Sequence, residues 1–499
     1  MKQWTTLGCG TLLAGLLCSS AAQADVTAAE VWQSWQDYYG RLGHTLSAGS
    51  EEASGNRLIL RDVTGATTTP DASGSLTIPE VVMTEEGGAV RVTLSPEVPL
   101  DLTSDTDGEV SEMSMLFTQS DGVLMVTGDA DRMTYELTAP TLGVALTRML
   151  VDGEPVEMTM EAAATDVSGR SVISLSGETD ASQQFEAPSV TFRIAATDPE
   201  GGGTFTINGS LADLAGSGTM KGPEGVDMAD MAAALRAGLA IEGAFTYGAA
   251  SASMDVQQEG ETMNAVAAAR EGRFDLAMTA GGLRYGAAGG PAQLALSGGQ
   301  MPFPVDVSLA ETAFNLMMPL TKADEPAPFA LETRLVDVAV NDEVWAMLDP
   351  MAQLPRDPAT LILDIGGMAK LLVDVLDPAL AEQAAAAPAE LHALDLNELQ
   401  LTFGGAELTG EGGFTFDNSD MVTFDGFPKP LGQVKLKLTG GNGLLDKLIA
   451  MGVIPEEQAT GLRMMASLFA NAGPGEDELN STIEVREDGG LYANGQRLK

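Results

Sequence analysis

Cysteine is nearly missing from this chain: two residues in 499, Cys9 and Cys18, both close to the start. That leaves no material for a disulfide framework or a thiol nucleophile beyond position 18. Histidine is as scarce, with His44 and His392 alone, too few for a zinc site of the usual ligand sets. Aromatics make up 5% (4 Trp, 6 Tyr, 15 Phe), too thin for the two aromatic girdles of an outer-membrane barrel. Basic residues number 26 against 71 acids, a net charge of -45. Such a charge repels phosphate backbones, and no nucleic-acid partner is expected. Beyond the first two dozen residues no apolar run approaches the ~18 residues of a spanning helix, so the chain does not read as an integral membrane protein. What is present is a 44% apolar share, ample for a folded core despite the acidity.

The first 24 residues read as an address. Lys2 precedes an apolar run from Leu7 to Leu17, then small residues, then Ala22-Gln23-Ala24 before Asp25. This is the layout of a secretory signal peptide, residues 1–24, cleaved after Ala24, and it predicts a periplasmic location. Lipid attachment at Cys18 is opposed by the bulky Leu17 in front of it. The exported remainder has no cysteine and must rely on packing.

The next stretch predicts a helix. Thr27 and Glu30 form a capping-box pair, and Val31, Trp32, Trp35, Tyr38, Tyr39 and Leu42 make an apolar stripe that Gly40 or Gly43 can end. From about residue 44 to 220 the period is two, as in Arg57-Leu58-Ile59-Leu60-Arg61 and Met133-Thr134-Tyr135-Glu136-Leu137. Turn clusters such as Glu85-Glu86-Gly87-Gly88, Asp121-Gly122 and Asp152-Gly153 separate these runs. Further helices are expected near 227–239 with Asp227 as cap, from Asn341 to Leu348, over 378–387, at 444–451 and at 455–469. Strand-like segments lie between them. The fold class is therefore α+β, mainly antiparallel β: a large curved meander sheet with an N-terminal helix and several flanking amphipathic helices. A β-rich part over 25–320 and an α+β part over 321–499 would continue the same sheet, with Pro319 to Pro328 as the boundary.

Chemistry-bearing patterns are few. No G-x-S-x-G elbow accompanies either histidine. Asp342-Glu343 and Asp129 with Asp131 offer carboxylate pairs for a hydrolase, but in turn or cap settings where aspartate is common. Thr103, Asp105, Asp107 and Gly108 open like a calcium loop, yet position one is Thr and position twelve is Ser114. Gly216 to Lys221 and Gly440 to Gly443 lack the spacing of a phosphate loop. Lys435 and Lys437 share one strand face, as lysines guarding an edge strand or as ligand contacts. The 25 methionines, with doublets Met317-Met318 and Met464-Met465, suit either an irregular core or an adaptable apolar surface. No catalytic, cofactor-binding or metal-binding residue is assigned.

Five stretches carry a family likeness: Glu30 to Gln36, Ala195 to Phe205, Leu354 to Leu361, Phe414 to Asp420 and Tyr492 to Leu498. Together they resemble the exported alphaproteobacterial family called domain of unknown function 2125. The resemblance implies a Gram-negative envelope location and a β-rich body, and it brings no activity, cofactor or site residue. In layout alone the chain is similar to AsmA-like and YdgA-like envelope proteins. The expectation is a non-enzymatic periplasmic protein that binds an apolar ligand or an envelope partner across the concave face of its sheet. A purely structural protein and a carboxylate-based hydrolase stand as alternatives.

Overall fold

The computed structural model describes residues 26–41, 43–68, 72–106, 108–174, 179–198, 201–223, 230–376 and 389–499. The expected leader over 1–24, the Asp227 cap and the helix over 378–387 lie outside the described residues. The fold is mainly antiparallel β with an N-terminal helix, and the chain divides into two compact units.

The first unit comprises 1–225, 240–268 and 297–301. It opens with α1 (Ala28–Arg41) and continues through β1 (Thr45–Ser54), β2 (Arg57–Thr68), β3 (Ala72–Glu86), β4 (Ala89–Leu94), β5 (Glu97–Thr106) and β6 (Glu109–Ser120). Then come β7 (Val123–Gly128), β8 (Arg132–Val151), β9 (Glu154–Pro155), β10 (Met158–Ser174), β11 (Thr179–Thr197) and β12 (Thr204–Gly222). The unit ends with β13 (Ala240–Tyr247), β14 (Ala249–Gln258) and β15 (Glu261–Ala269). Successive strands pair antiparallel, because two-residue turns such as Gly87-Gly88 (φ 62° and 81°) and Asp152-Gly153 (φ 51° and 81°) accept the left-handed backbone that tight hairpins need.

Several of these strands are halves of one longer strand. β6 and β7 both pair with β8, in one unbroken register that runs from Ser120↔Thr141 to Val123↔Thr138. Asp121-Gly122, which reads as a reversal, is a kink instead. In the same way β13 and β14 both pair with β12 on either side of Gly248. The kinks fall in register. Asp62 (φ 51°) lies opposite Pro79 on one side and Gly49 on the other. Asp166 (φ 52°) lies opposite Pro140 and Pro188, and Pro188 lies opposite Asp213 (φ 52°). Proline has no N–H to give the ladder and aspartate tolerates a left-handed backbone, so the two residue types together form a crease across the strands. At each crease the side-chain alternation slips by one: Leu58 and Leu60 are buried before Asp62, and Val63 after it.

On one side of the crease the sheet is sealed by α1. The helix begins as a capping box: the Thr27 amide and hydroxyl each donate to Glu30 Oε2 at 2.8 Å, and the Glu30 amide donates to Thr27 Oγ1 at 3.3 Å. It ends at Gly43, in a left-handed conformation with φ 81°. Val31, Trp32 and Trp35 pack into one cluster with Leu60, Val81, Met83, Val92, Val126, Met133 and Tyr135. Trp32 Nε1 donates to Glu51 at 2.9 Å, so the indole is satisfied at the rim. Desolvation pushes the Tyr135 hydroxyl up to about 12.

The second unit comprises 226–239, 269–296 and 302–499. It contains α2 (Met231–Arg236), β16 (Gly272–Thr279), β17 (Gly282–Gly289), β18 (Ala292–Gly298), β19 (Val305–Leu309), β20 (Glu311–Met318) and β21 (Ala327–Val340). These lead to α3 (Asp342–Leu348), β22 (Ala359–Leu371), β23 (Ala389–Phe403), β24 (Ala406–Asp417), β25 (Lys429–Thr439), α4 (Gly441–Ala450) and α5 (Glu456–Phe469). The unit closes with β26 (Asn471–Ala472), β27 (Glu478–Val485), β28 (Leu491–Ala493) and β29 (Gln496–Arg497). A meander from β20 to β25 is extended by β27. Asp230 caps α2 by accepting from the Ala233 amide at 2.9 Å. Asn341 precedes α3 as expected but does not cap it through its side chain: its Nδ2 donates to Pro304 O and Glu343 instead. Asp349, buried at the end of α3, accepts the Leu354 amide at 2.6 Å.

Candidate functional site

Most of the acids that carry chemistry on paper are absorbed locally, and the two histidines lie in different units. His44 closes the turn after α1, its amide donating to Tyr39 O at 2.9 Å, while His392 lies 3.6 Å from Glu390 in the second unit. Asp129 accepts the amides of Asp131 and Arg132, both at 3.0 Å, so that pair is one turn. Asp342 is paired with Arg356, and Glu343 accepts from Asn341. Asp105 accepts the Gly108 amide at 3.0 Å where β5 gives way to β6; Asp107 of the calcium-like stretch lies outside the described residues. Gly216 to Lys221 runs inside β12, not in a loop. Three glutamates, Glu311, Glu332 and Glu398, converge on Arg334 at 3.1 to 3.3 Å, an ion-pair network rather than an acid pair. Among the described residues no group of three or more His, Cys, Asp or Glu could hold a metal ion.

Lys435 and Lys437 fall on β25, which pairs with β24 on one side and β27 on the other. They are therefore on an interior strand, and the edge-strand reading does not hold. Lys437 lies 3.4 Å from Glu478, whose carboxyl is held below its ordinary range by the Asn480 side chain first and by Lys437 in addition. Both lysines line an open cleft of about 460 Å³ with Glu398, Glu411, Gln400 and Asn480. Of the charged groups there, Lys437 is paired with Glu478 and Glu398 with Arg334, and Lys435 lies opposite Glu411 in the register, so the cleft selects neither charge.

The larger feature is a continuous apolar face in the first unit. Directly paired residues of an antiparallel ladder lie on the same face, so the register traces its rows. One row runs Val98, Phe117, Val144, Ala162, Phe192, Gly209, Ala252 across β5, β6, β8, β10, β11, β12 and β14. A parallel row carries Leu100 and Met115 through Leu146, and Met160, Ile194, Ile207 and Met254 continue it. Val98 is fully buried and belongs to the cluster under α1, with Phe117 packed against it. The face is thus the core of the unit carried on past the helix that covers it. From Phe117 onward its side chains are half-buried. α1 contacts β1, β2 and β3, and it is the only helix of this unit among the described residues. The other face of the same strands reads Thr118, Gly143, Ala163, Thr191, Ser210, Ser251, with Ser210 and Ser251 hydroxyls 2.8 Å apart.

Two details shape that face. Phe192 lies over Gly209 on the next strand, where a Cβ would come within 2.2 Å of the ring, so glycine gives the phenyl group its bed. Where closed core meets open face, Val92, Leu94, Phe117, Leu124, Leu137 and Leu142 surround a cavity of about 40 Å³. Gln119 stitches its rim, donating to Leu94 O at 2.9 Å and accepting from the Gly122 amide at 2.7 Å. The face left a trace in the sequence: Met113-x-Met115-x-Phe117, Met158-x-Met160 and Phe192-x-Ile194 place large flexible side chains on alternate positions of neighbouring strands. Periodicity alone shows that such a strand has one apolar side, not whether anything packs on it.

A family model described as an uncharacterized protein conserved in bacteria (DUF2125) matches residues 181–498. The chain belongs to the DUF2125 family. The match spans β11 and β12, which carry Phe192, Ile194, Ile207 and Gly209, and the whole second unit apart from a single residue at its end. The match carries no likeness to AsmA-like or YdgA-like proteins. No curated protein matches the chain. Among the described residues no helix is long and apolar enough to cross a membrane.

Proposed function

We propose that this DUF2125 protein is a non-enzymatic binding protein for an elongated apolar ligand of the acyl-chain class, working in the periplasm. The observation that supports it is the uncapped continuation of the first unit's core. Burying a Leu, Met or Phe side chain is worth about 1.5–3 kcal/mol. A row of such side chains left half-buried over β6 to β14 is a reservoir of binding energy with little directional polarity. A sheet face of methionine, isoleucine and phenylalanine accommodates a chain of variable conformation, since thioether and aliphatic groups repack cheaply. Ser, Thr and acidic groups hold the opposite face in water. The leader-like first 24 residues support the periplasmic assignment.

The test is native mass spectrometry on protein purified from its own host, with fractionation of the periplasm alongside. Bound mass in the range of a lipid or fatty acid is expected, and Ile207→Asp should remove it while the fold persists by circular dichroism. Ligand-free protein in every preparation, or equal loading of Ile207→Asp, would overturn the reading in favour of a purely structural role.

A further inference from the structure

A second apolar surface lies in the other unit, at the end of the sheet where β23 turns into β24. Three helices gather there around the hairpin Gly404-Gly405. Trp345 of α3 stacks on Phe403 with centroids 6.3 Å apart. Leu354, Pro355 and the α4 residues Leu444 and Lys447 crowd the two glycines. α5 is fastened to α4 by Arg463, which donates to Asp446 at 2.6 Å and to Asn442 at 3.3 Å.

α5 is packed the wrong way round for a helix that only seals a core. Its inward stripe is Ala459, fully buried, followed by Arg463 and Ala466. Its large apolar residues face out: Leu462, Met464, Met465, Leu468 and Phe469, with Met464 69% exposed and Leu468 56%. Val453 before α5 and Met347, Leu348 and Met351 around α3 are exposed likewise, Met351 by 62%. A core-sealing amphipathic helix would bury these and show its alanines.

The charges around this surface point to the occupant. In a chain of net charge -45, the segment 344–355 holds one ionisable residue, the buried Asp349; 448–455 holds none; 458–475 holds only Arg463. Of the acids at its margin, Asp342 pairs with Arg356 and Asp446 with Arg463, while Glu456 and Glu457 in the first turn of α5 sit at the opposite end of that helix from Met464, Leu468 and Phe469. A second copy of the chain would bring two strongly anionic bodies together. A protein hot spot would show exposed tryptophan, tyrosine or arginine anchors, and these are lacking among the exposed residues of the patch. Uncharged apolar side chains on a helix, beside Lys447, suit insertion into the headgroup boundary of a lipid bilayer. We infer that the α3 and α5 surface docks this protein on a lipid bilayer. The inference stands apart from ligand binding by the first unit, though a lipid-binding protein would gain a place to exchange its cargo.

Vesicle flotation tests it, using protein in the form its host accumulates and phosphatidylcholine vesicles with and without phosphatidylglycerol. The parent protein should float with phosphatidylcholine vesicles, and less with those containing phosphatidylglycerol, whose charge repels a body of net charge -45. The double variant Met464→Asp, Leu468→Asp should bind at least about tenfold more weakly, with an unchanged unfolding midpoint because both side chains are exposed. Val453→Asp should weaken flotation in the same direction. Failure of the parent to float, or equal flotation of the variants, would overturn the inference. So would a parent dimer in sedimentation that the double variant dissolves, since a second copy would then be the occupant. Ile207→Asp separates the two proposals: it should lose bound ligand yet float as the parent does.

Discussion

Single residues decide where the strands crease. Asp62, Asp121, Asp166 and Asp213 all hold a left-handed backbone within or between collinear strands, a conformation that costs an L-residue with a branched side chain about 1–2 kcal/mol. Asp166→Val should therefore destabilise the first unit by about that amount, whereas Asp166→Gly should be close to neutral, because glycine takes positive φ freely. Urea denaturation of the two variants checks it; equal losses would show that the carboxylate, not the backbone, matters at this position. In the sequence these aspartates were indistinguishable from turn residues. Asp121-Gly122 carries the same signature as Asp152-Gly153, yet only the latter reverses the chain. The difference lies in Pro140 on the facing strand β8, nineteen positions from Asp121 and legible only once the register is known.

Among the elements, α4 shows how a helix borrows its cap. Its N-terminal residue follows Gly440, in a left-handed conformation and without a side chain to offer. Asp477, from the turn before β27, supplies the acceptor: the Asn442 amide donates to it at 3.2 Å, the Gly443 amide at 2.8 Å and the Asn442 side chain at 2.8 Å. Burial acts to raise the Asp477 carboxyl, but these donors, with Arg463 nearby, outweigh it and hold the group below the usual carboxylate range. A carboxyl depressed on folding adds stability above its unfolded value of ~3.9, and that stability is lost as pH falls through the lower folded value. Amides 441–450 should accordingly exchange faster with hydrogen as pH drops below about 4, after correction for intrinsic rates. Asp477→Ala should cost about 0.5–2 kcal/mol at neutral pH and abolish that dependence. An unchanged exchange profile in Asp477→Ala would show that α4 does not need this cap. The helix was legible from its own apolar spacing; its cap came from 35 residues away and was not.

For the whole molecule, charge is the governing quantity. With 71 acids against 26 bases, self-repulsion opposes the folded state and screening relieves it. Raising ionic strength from about 0.01 to 0.15 M shortens the screening length from about 30 to 8 Å. The melting temperature should rise by about 2–4 °C for each kcal/mol so regained, and millimolar divalent cation should act in the same direction. A melting temperature that stays flat across that range would mean the acids are too widely spread to repel.

The sequence by itself determined the strand-dominated antiparallel class, the first helix with its capping box and the approximate places of α3 to α5. All of these follow from local period, propensity and composition, which act over a few residues. Only the tertiary structure decided that β25 is interior, that Met464 and Met465 face outward, and that the apolar sides of β5 to β14 align into one face that α1 covers only in part. Those outcomes depend on register between distant strands and on which face finds a cover. An alternating strand encodes that it has an apolar side, but what lies against that side is set by chain far away in sequence.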